Sequence, residues 1–319
     1  MAVSRILVVR LGAMGDIIHA LPAAAALKRS FPGCTLCWAV EPRWRDLLDS
    51  GGLADELIEI DRRSYSSVAR GWQRLRRASF DIAVDFQGLI KSAAVARAAR
   101  AAERIGFERG QLREPAAGVF YTKRFHCPAA HVIDRNLQLA AHLGASPEPV
   151  EFPLPPGRPE GDLPSGPFIL ASPLAGWTSK QWPAAHWAEL ARLLHSESPY
   201  QLVLNGPPAV ARFAGSVPGA AVHVSSVAGL IHATRQSAAV VGLDSGPLHL
   251  AAALSRPALA LFGPTDPSRN GPYGSTVRCL RAPGAETTYA RGAEIHPSMH
   301  ALAPRTVFRA LMDLLEPRS

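Results

Sequence analysis

Several features that would mark particular protein classes are missing from this sequence. No apolar run in its 319 residues approaches the roughly 18 that a membrane-spanning helix requires. The apolar run in "MAVSRILVVR" starts too early and is too short for a secretory signal, which points to the cytoplasm. Cysteine is scarce, and Cys34, Cys37, Cys127 and Cys279 do not suggest a disulfide framework. Cys34 and Cys37 form a CxxC, but it opens the apolar run "CTLCWAV" with no second CxxC, so buried thiols are the simpler expectation. There is no GxGxxG with an acid about 20 residues on, which argues against a nicotinamide-dependent oxidoreductase. A periplasmic-type binding module, also built of two α/β lobes, would need the export signal that is not seen. DxD is absent as well.

What is present is a globular composition: 47% hydrophobic residues and a mean hydropathy of +0.04, enough for a packed core. The net charge is +8 and unevenly placed: Arg62 to Arg124 holds fourteen Lys/Arg against five Asp/Glu, a surplus of nine. Such a stretch suits an anionic partner. Without aromatic interleaving or a helix-turn-helix or RNA-binding signature, it argues poorly for nucleic acid.

Apolar runs alternate with helical ones. "RILVVR", "TLCWAV", "ELIEI" and "DIAVDF" read as strands, with helices near 17–30, 41–50, 65–78 and 89–101. From Pro147 to Pro167, eight of 21 residues are proline, which resists both helix and ladder, so an extended linker is expected. The alternation then restarts with "PFILAS", and strands "YQLVLNG", "AVHVS", "AAVVGLD" and "ALALFG" follow with helices between. This pattern predicts an α/β chain of two doubly wound, Rossmann-like domains facing a cleft, at 1–155 and 156–319. The last helix, about 305–315, is a candidate to pack back on the first domain.

Five loops fall where strands end, the place where open α/β sheets bind ligands. "RLGAMGDIIH" looks like a phosphate loop, but its glycines are spaced GxxG and no GK[ST] follows. Its acid, Asp16, would by spacing alone be a helix N-cap or first-turn residue. "VDFQGLIKSA" puts Gln87, Lys91 and Ser92 after a strand ending in Asp85, where turn chemistry is an equal alternative. "PLAGWTSKQWP" carries Lys180, a candidate phosphate clamp among small and hydroxyl residues. In "VVGLDSGPLHLAAAL" the strand ends in Asp244, and Ser245 and Gly246 turn into a helix whose mouth is an anion site, with His249 one turn in. "ALALFGPTDP" closes a further strand.

These motifs, in order and spacing, resemble the bacterial ADP-heptose:lipopolysaccharide heptosyltransferases, glycosyltransferase family 9, over nearly the full length. "DFQGLIKSA" and "REPAAGVFY" look most like the enzymes that add the first heptose to the Kdo of the inner core. The resemblance implies a GT-B fold and an inverting, metal-independent transfer of heptose from ADP-heptose, with no cofactor. It makes Asp16 the general base and Lys180 the donor clamp. It puts the diphosphate at Asp244, Ser245 and Gly246, with His249 nearby. It also implies an anionic Kdo-lipid A acceptor and peripheral contact with the cytoplasmic face of the inner membrane. Gly15, Gln87 and Lys91, with Arg62, Arg63, Arg113, Lys123 and Arg124 of the basic stretch, are the candidate acceptor contacts. Two departures concern the nucleoside. Val210 stands where the family pattern has a glutamate, and Ala175 and Gly176 replace two hydroxyl residues for which Thr178 or Ser179 are substitutes. A related family 9 enzyme that uses another nucleotide sugar, or adds the second heptose, is the alternative.

Overall fold

The computed structural model describes residues 3–288, 290 and 292–316. The chain divides into two compact units, Met1–Pro155 and Pro156–Ser319.

In the first unit, six parallel strands form one sheet: β1 (Arg5–Val9), β2 (Thr35–Val40), β3 (Glu56–Glu59), β4 (Ile82–Asp85), β5 (Glu103–Phe107) and β6 (Lys123–Phe125). Their order is β3-β2-β1-β4-β5-β6. The central strands are buried on both faces, which is why they read as unbroken apolar runs. Strands β5 and β6 do not follow that rule: "ERIGF" and "KRF" are short and charged, with β6 at the sheet's edge, and the alternation of apolar runs misses them. The connecting helices are α1 (Met14–Ile18), α2 (Leu21–Ser30), α3 (Tyr65–Arg77), α4 (Ile90–Ala98) and α5 (Val132–Ala141). The single helix expected over 17–30 is two. Pro22 has no N–H with which to continue α1, and it fits the first turn of α2. The helix expected over 41–50 is a 3₁₀ turn, Pro42–Leu47.

The second unit repeats the scheme with β7 (Phe168–Ser172), β8 (Gln201–Gly206), β9 (Ala221–Val224), β10 (Ala239–Leu243), β11 (Ala258–Phe262) and β12 (Val277–Arg281). All six are parallel, in the order β12-β11-β10-β7-β8-β9. Its helices are α6 (Ala184–Glu197), α7 (Ala209–Ala214), α8 (Val227–Gln236), α9 (Gly246–Ala253), α10 (Pro267–Asn270), α11 (Pro297–His300) and α12 (Pro304–Leu315). Its core holds Trp182 and Trp187, stacked edge to face at 4.9 Å, with Trp182 Nε1 donating to the Leu302 carbonyl at 2.9 Å. The last helix buries Val307, Phe308, Ala310 and Leu311 in this core, against α6 and β11. The linker segment is tied to α8: Glu160 accepts from Ser226 N and Ser226 Oγ, both at 2.8 Å.

Strand order fixes where ligands can approach. In each sheet the unit's first strand lies beside its fourth, β1 next to β4 and β7 next to β10. At such a reversal, neighbouring strands send their helices to opposite faces and leave a crevice at their carboxyl ends. The β4 side of the first crevice is braced from below. Asp85, fully buried at the end of β4, accepts from Ser92 Oγ and Tyr121 OH at 2.7 Å each. It also accepts from the backbone N–H groups of Gln87 and Gly88. Burial pushes its carboxyl above the usual carboxylate range, against the pull of these donors. Tyr121 reaches Asp85 only because Gly106 has no side chain: a Cβ there would lie 2.4 Å from the Tyr121 ring. Gly106→Ala is therefore expected to cost about 1–3 kcal/mol through overpacking. Thermal melting should show a lowered transition, and an unchanged melting curve would mean that Tyr121 has room to move.

Candidate functional site

At the first crevice, the loop after β1 leads directly into α1. Asp16 is the third residue of α1, and its Oδ2 accepts from the N–H of Ala13, the residue that caps the helix, at 3.2 Å. Of the two positions expected from spacing, N-cap or first turn, Asp16 takes the first turn and reaches back to the cap. Its Oδ1 lies 2.7 Å from Arg10 Nη2, and the carboxylate stays 42% exposed while the Arg10 side chain is 8% exposed. Gly15 precedes it in α1. Gln87, expected to face a ligand, has its side-chain oxygen engaged by the Leu11 N–H at 3.0 Å, so it ties the loop after β4 to the loop after β1.

Arg62 and Arg63 follow β3 on the same rim. Arg62 grips Glu41 Oε1 with Nε at 2.8 Å and Nη2 at 2.7 Å, and Arg43 holds Oε2 at 2.9–3.0 Å. Burial alone would raise the Glu41 carboxyl, but the two guanidinium groups outweigh it and hold it below the ordinary range. Glu41, Pro42, Arg43, Asp61, Arg62 and Arg63 line a pocket of about 230 Å³. Lys91 belongs to the same electrostatic neighbourhood: burial first, then the charge of Arg62, lowers its ammonium below the usual lysine range. Glu114 and the exposed Arg113 also act on it. Lys123 and Arg124 are not part of this group. Both lie on the edge strand β6, where Lys123 pairs with Glu103 at the start of β5 and Arg124 reaches the Gly118 carbonyl at 3.4 Å.

At the second crevice, Asp244 ends the stretch that follows β10 and gathers three partners. Lys180 Nζ is 2.5 Å from Oδ2, Thr265 Oγ1 donates to the same oxygen at 2.7 Å, and His249 Nε2 stands 4.0 Å from Oδ1. These side chains are largely buried, at 15% for Lys180, 13% for Asp244 and 7% for His249. Lys180 also sits 4.3 Å from the centre of the Trp177 ring. Ser245 caps α9 without a side-chain bond to the helix, and its buried Oγ has no partner among the described residues. Of the two candidate substitute hydroxyls, Thr178 is exposed, whereas Ser179 is buried and its carbonyl accepts from His296 N at 3.2 Å. Val210 is fully buried in the second core, against Gly206. Among the described residues, no three His, Cys, Asp or Glu side chains gather as a metal site.

Arg10, Glu41, Arg43, Tyr121 and Thr265 have parts here that motif reading does not supply. Their partners are 2 to 36 residues away in the chain.

Residues 68–294 match the family described as glycosyltransferase family 9 (heptosyltransferase). The lipopolysaccharide heptosyltransferase 1 of Pseudomonas aeruginosa is 31% identical over 297 residues, covering 85% of this chain and 81% of that protein. The enzyme of the same name from Escherichia coli K12 is 29% identical, covering 88% and 94%. Among solved structures, E. coli heptosyltransferase WaaC with ADP superposes with a TM-score of 0.80 at 28% identity, covering 97% of this chain and 99% of that one. With two parallel α/β sheets of the GT-B kind and a family match over most of its length, the chain belongs to glycosyltransferase family 9, the heptosyltransferases.

Proposed function

We propose that this glycosyltransferase transfers a heptose from ADP-heptose, with inversion, onto the Kdo or inner-core acceptor of lipopolysaccharide. The carrying observation is the second crevice. A buried lysine, an unpartnered buried hydroxyl on Ser245 and the N-terminus of α9 converge there. Together they suit a diphosphate. Asp244 is a carboxylate and would repel phosphate. Its role in this reading is to aim Lys180, whose three N–H bonds can serve Asp244 and a phosphate oxygen at once. The structure of E. coli heptosyltransferase WaaC with ADP, similar to this chain, supports the same donor.

In the transfer, the acceptor oxygen forms a bond to the anomeric carbon as the bond from that carbon to the diphosphate oxygen breaks. Asp16 takes the acceptor's proton. The pair of electrons leaves with ADP, whose developing charge Lys180 and the α9 N–H groups stabilise without a metal. Arg62, Arg63, Lys91 and Arg113 are the cations proposed to meet the acceptor's carboxylates and phosphates. The outward charge of this region also draws the protein to anionic lipid at the cytoplasmic membrane face. Lys123 and Arg124, engaged with Glu103 and the Gly118 carbonyl on β6, are not used in this reading. A second reading, addition of the second heptose, draws on the heptosyltransferase 2 of Salmonella typhimurium, 29% identical over 98% of both chains.

Asp16→Ala is expected to lower kcat on a Kdo-terminated acceptor by about 10²–10⁴ with folding intact. The wild-type rate should persist in excess EDTA. Near-normal turnover by the variant would reject the base assignment, and transfer only to a heptose-terminated acceptor would favour the second reading. In a thermal-shift panel of ADP, GDP, UDP and dTDP sugars, the adenine nucleotide should give the shift. A response to a non-adenine nucleotide alone would sink the ADP-heptose donor. Sedimentation with phosphatidylglycerol vesicles should fall as salt rises, whereas salt-insensitive binding would rule out an electrostatic contact.

A further inference from the structure

The first crevice holds a cation that lies beneath the surface rather than on it. Arg10 directly follows β1 and is 6% exposed. Its backbone is fixed, because its carbonyl accepts from Trp38 Nε1 at 3.1 Å. Its guanidinium is fixed at both arms: Nη1 donates to the Phe86 carbonyl, on the loop after β4, and Nη2 reaches Asp16 Oδ1. The next residue, Leu11, is held by Gln87. Arg10 and Gln87 therefore join the two loops of the crevice from opposite directions.

Stability alone is a poor reason for this arrangement. Burying a guanidinium is costly, its Nε has no partner among the described residues, and an apolar side chain of similar size often serves a core as well or better. What the guanidinium does supply is direction. It is planar, and with one arm fixed on a backbone carbonyl the other can point only one way. With Oδ1 on Arg10 and Oδ2 on the Ala13 N–H, each carboxylate oxygen has one donor, and the carboxylate plane is set. The remaining lone pairs belong to a side chain that is 42% exposed.

We propose that Arg10 is a positioning residue for the transfer: it holds the Asp16 carboxylate in the one orientation in which that group can take the acceptor's proton. The proposal rests on the reading of Asp16 as the base. Displacing a reacting group by about 1 Å can cost about 10²-fold in rate. A lysine, with a point charge in place of the fork, would meet Asp16 or Phe86 but not both in one plane.

A double-mutant cycle tests this, with kcat and KM measured for Arg10→Gln, Asp16→Asn and the combination. Arg10→Gln should lower kcat by about 10–100-fold while the donor KM stays within about twofold. In the Asp16→Asn background the same change should cost nothing further, because there is no base left to aim. A loop-joining role alone would instead give losses that multiply, and that result, or a wild-type kcat for Arg10→Gln beside a crippled Asp16→Asn, would overturn the proposal. A near-normal Asp16→Asn would overturn the reading of Asp16 as base, and the proposal with it. Should Arg10→Gln fail to fold, as judged by thermal melting and ADP binding, Arg10→Lys carries the same cycle. It is expected to show a smaller kcat loss that also vanishes in the Asp16→Asn background.

Discussion

The placement of every candidate reactive group depends on one topological constraint, the adjacency of the first and fourth strands of each sheet. Because β1 lies against β4 and β7 against β10, each sheet has one place where two neighbouring strands send their connections to opposite faces. Parallel strands bring their carboxyl ends to the same rim, so the loops that follow them meet there whatever their separation in sequence. Arg10 meets Phe86 across 76 residues and Lys180 meets Asp244 across 64. The bracing below the first crevice, from Asp85 to Tyr121 and Gly106, extends the same order outward to β5 and β6.

The two crevices use one electrostatic device with opposite signs. In the first, a half-exposed carboxylate is held by a buried guanidinium. In the second, a lysine is held by a buried carboxylate that also accepts from Thr265. Such pairing weakens the long-range field of the working group, since each pair is close to neutral. In exchange it removes the rotamer freedom that a long or flexible side chain would otherwise lose on meeting a ligand. The effect belongs to geometry more than to stability, because desolvation offsets most of the attraction in a buried pair.

The sheets were legible because their central strands are buried on both faces and spell themselves out as apolar runs. Strands β5 and β6 were not: β6 is an edge strand with no need of an apolar run, and β5, though paired on both sides, breaks its apolar residues with Glu103, Arg104 and Gly106. Individual motif residues such as Asp16, Lys180 and Asp244 were also legible, but their partners were not. Nothing local in "RILVVR" marks Arg10 as a buried cation, because the carbonyl that satisfies it arrives from the loop after β4 and the carboxylate from α1. Gln87 and Ser179 carry engagements that their motifs do not show: the Gln87 side-chain oxygen accepts from the Leu11 N–H, and the Ser179 carbonyl accepts from His296 N. Val210 is a third case. Its position suggested a missing nucleoside contact, while its side chain belongs wholly to the apolar core.

The basic stretch shows how a charge count and a field differ. Its surplus of nine cations between Arg62 and Arg124 is a property of the sequence. In the fold several of those cations are already committed. Lys123 holds Glu103, Arg104 binds the carbonyls of Ala101 and Phe120, and Arg62 is offset in part by Glu41 while its side chain stays 48% exposed. The charge left facing outward is narrower. Helix α3 buries Gly71 and Leu75 and exposes Arg70, Arg74, Arg76 and Arg77, and Arg63 and Arg113 stand exposed on other loops. Arg97, Arg100 and Arg109 are exposed as well, so an anionic surface would feel these uncommitted cations together with those of α3, not all fourteen of the stretch. Within a Debye length of about 8 Å at physiological salt, it is that local arrangement, not the net +8, that sets the attraction.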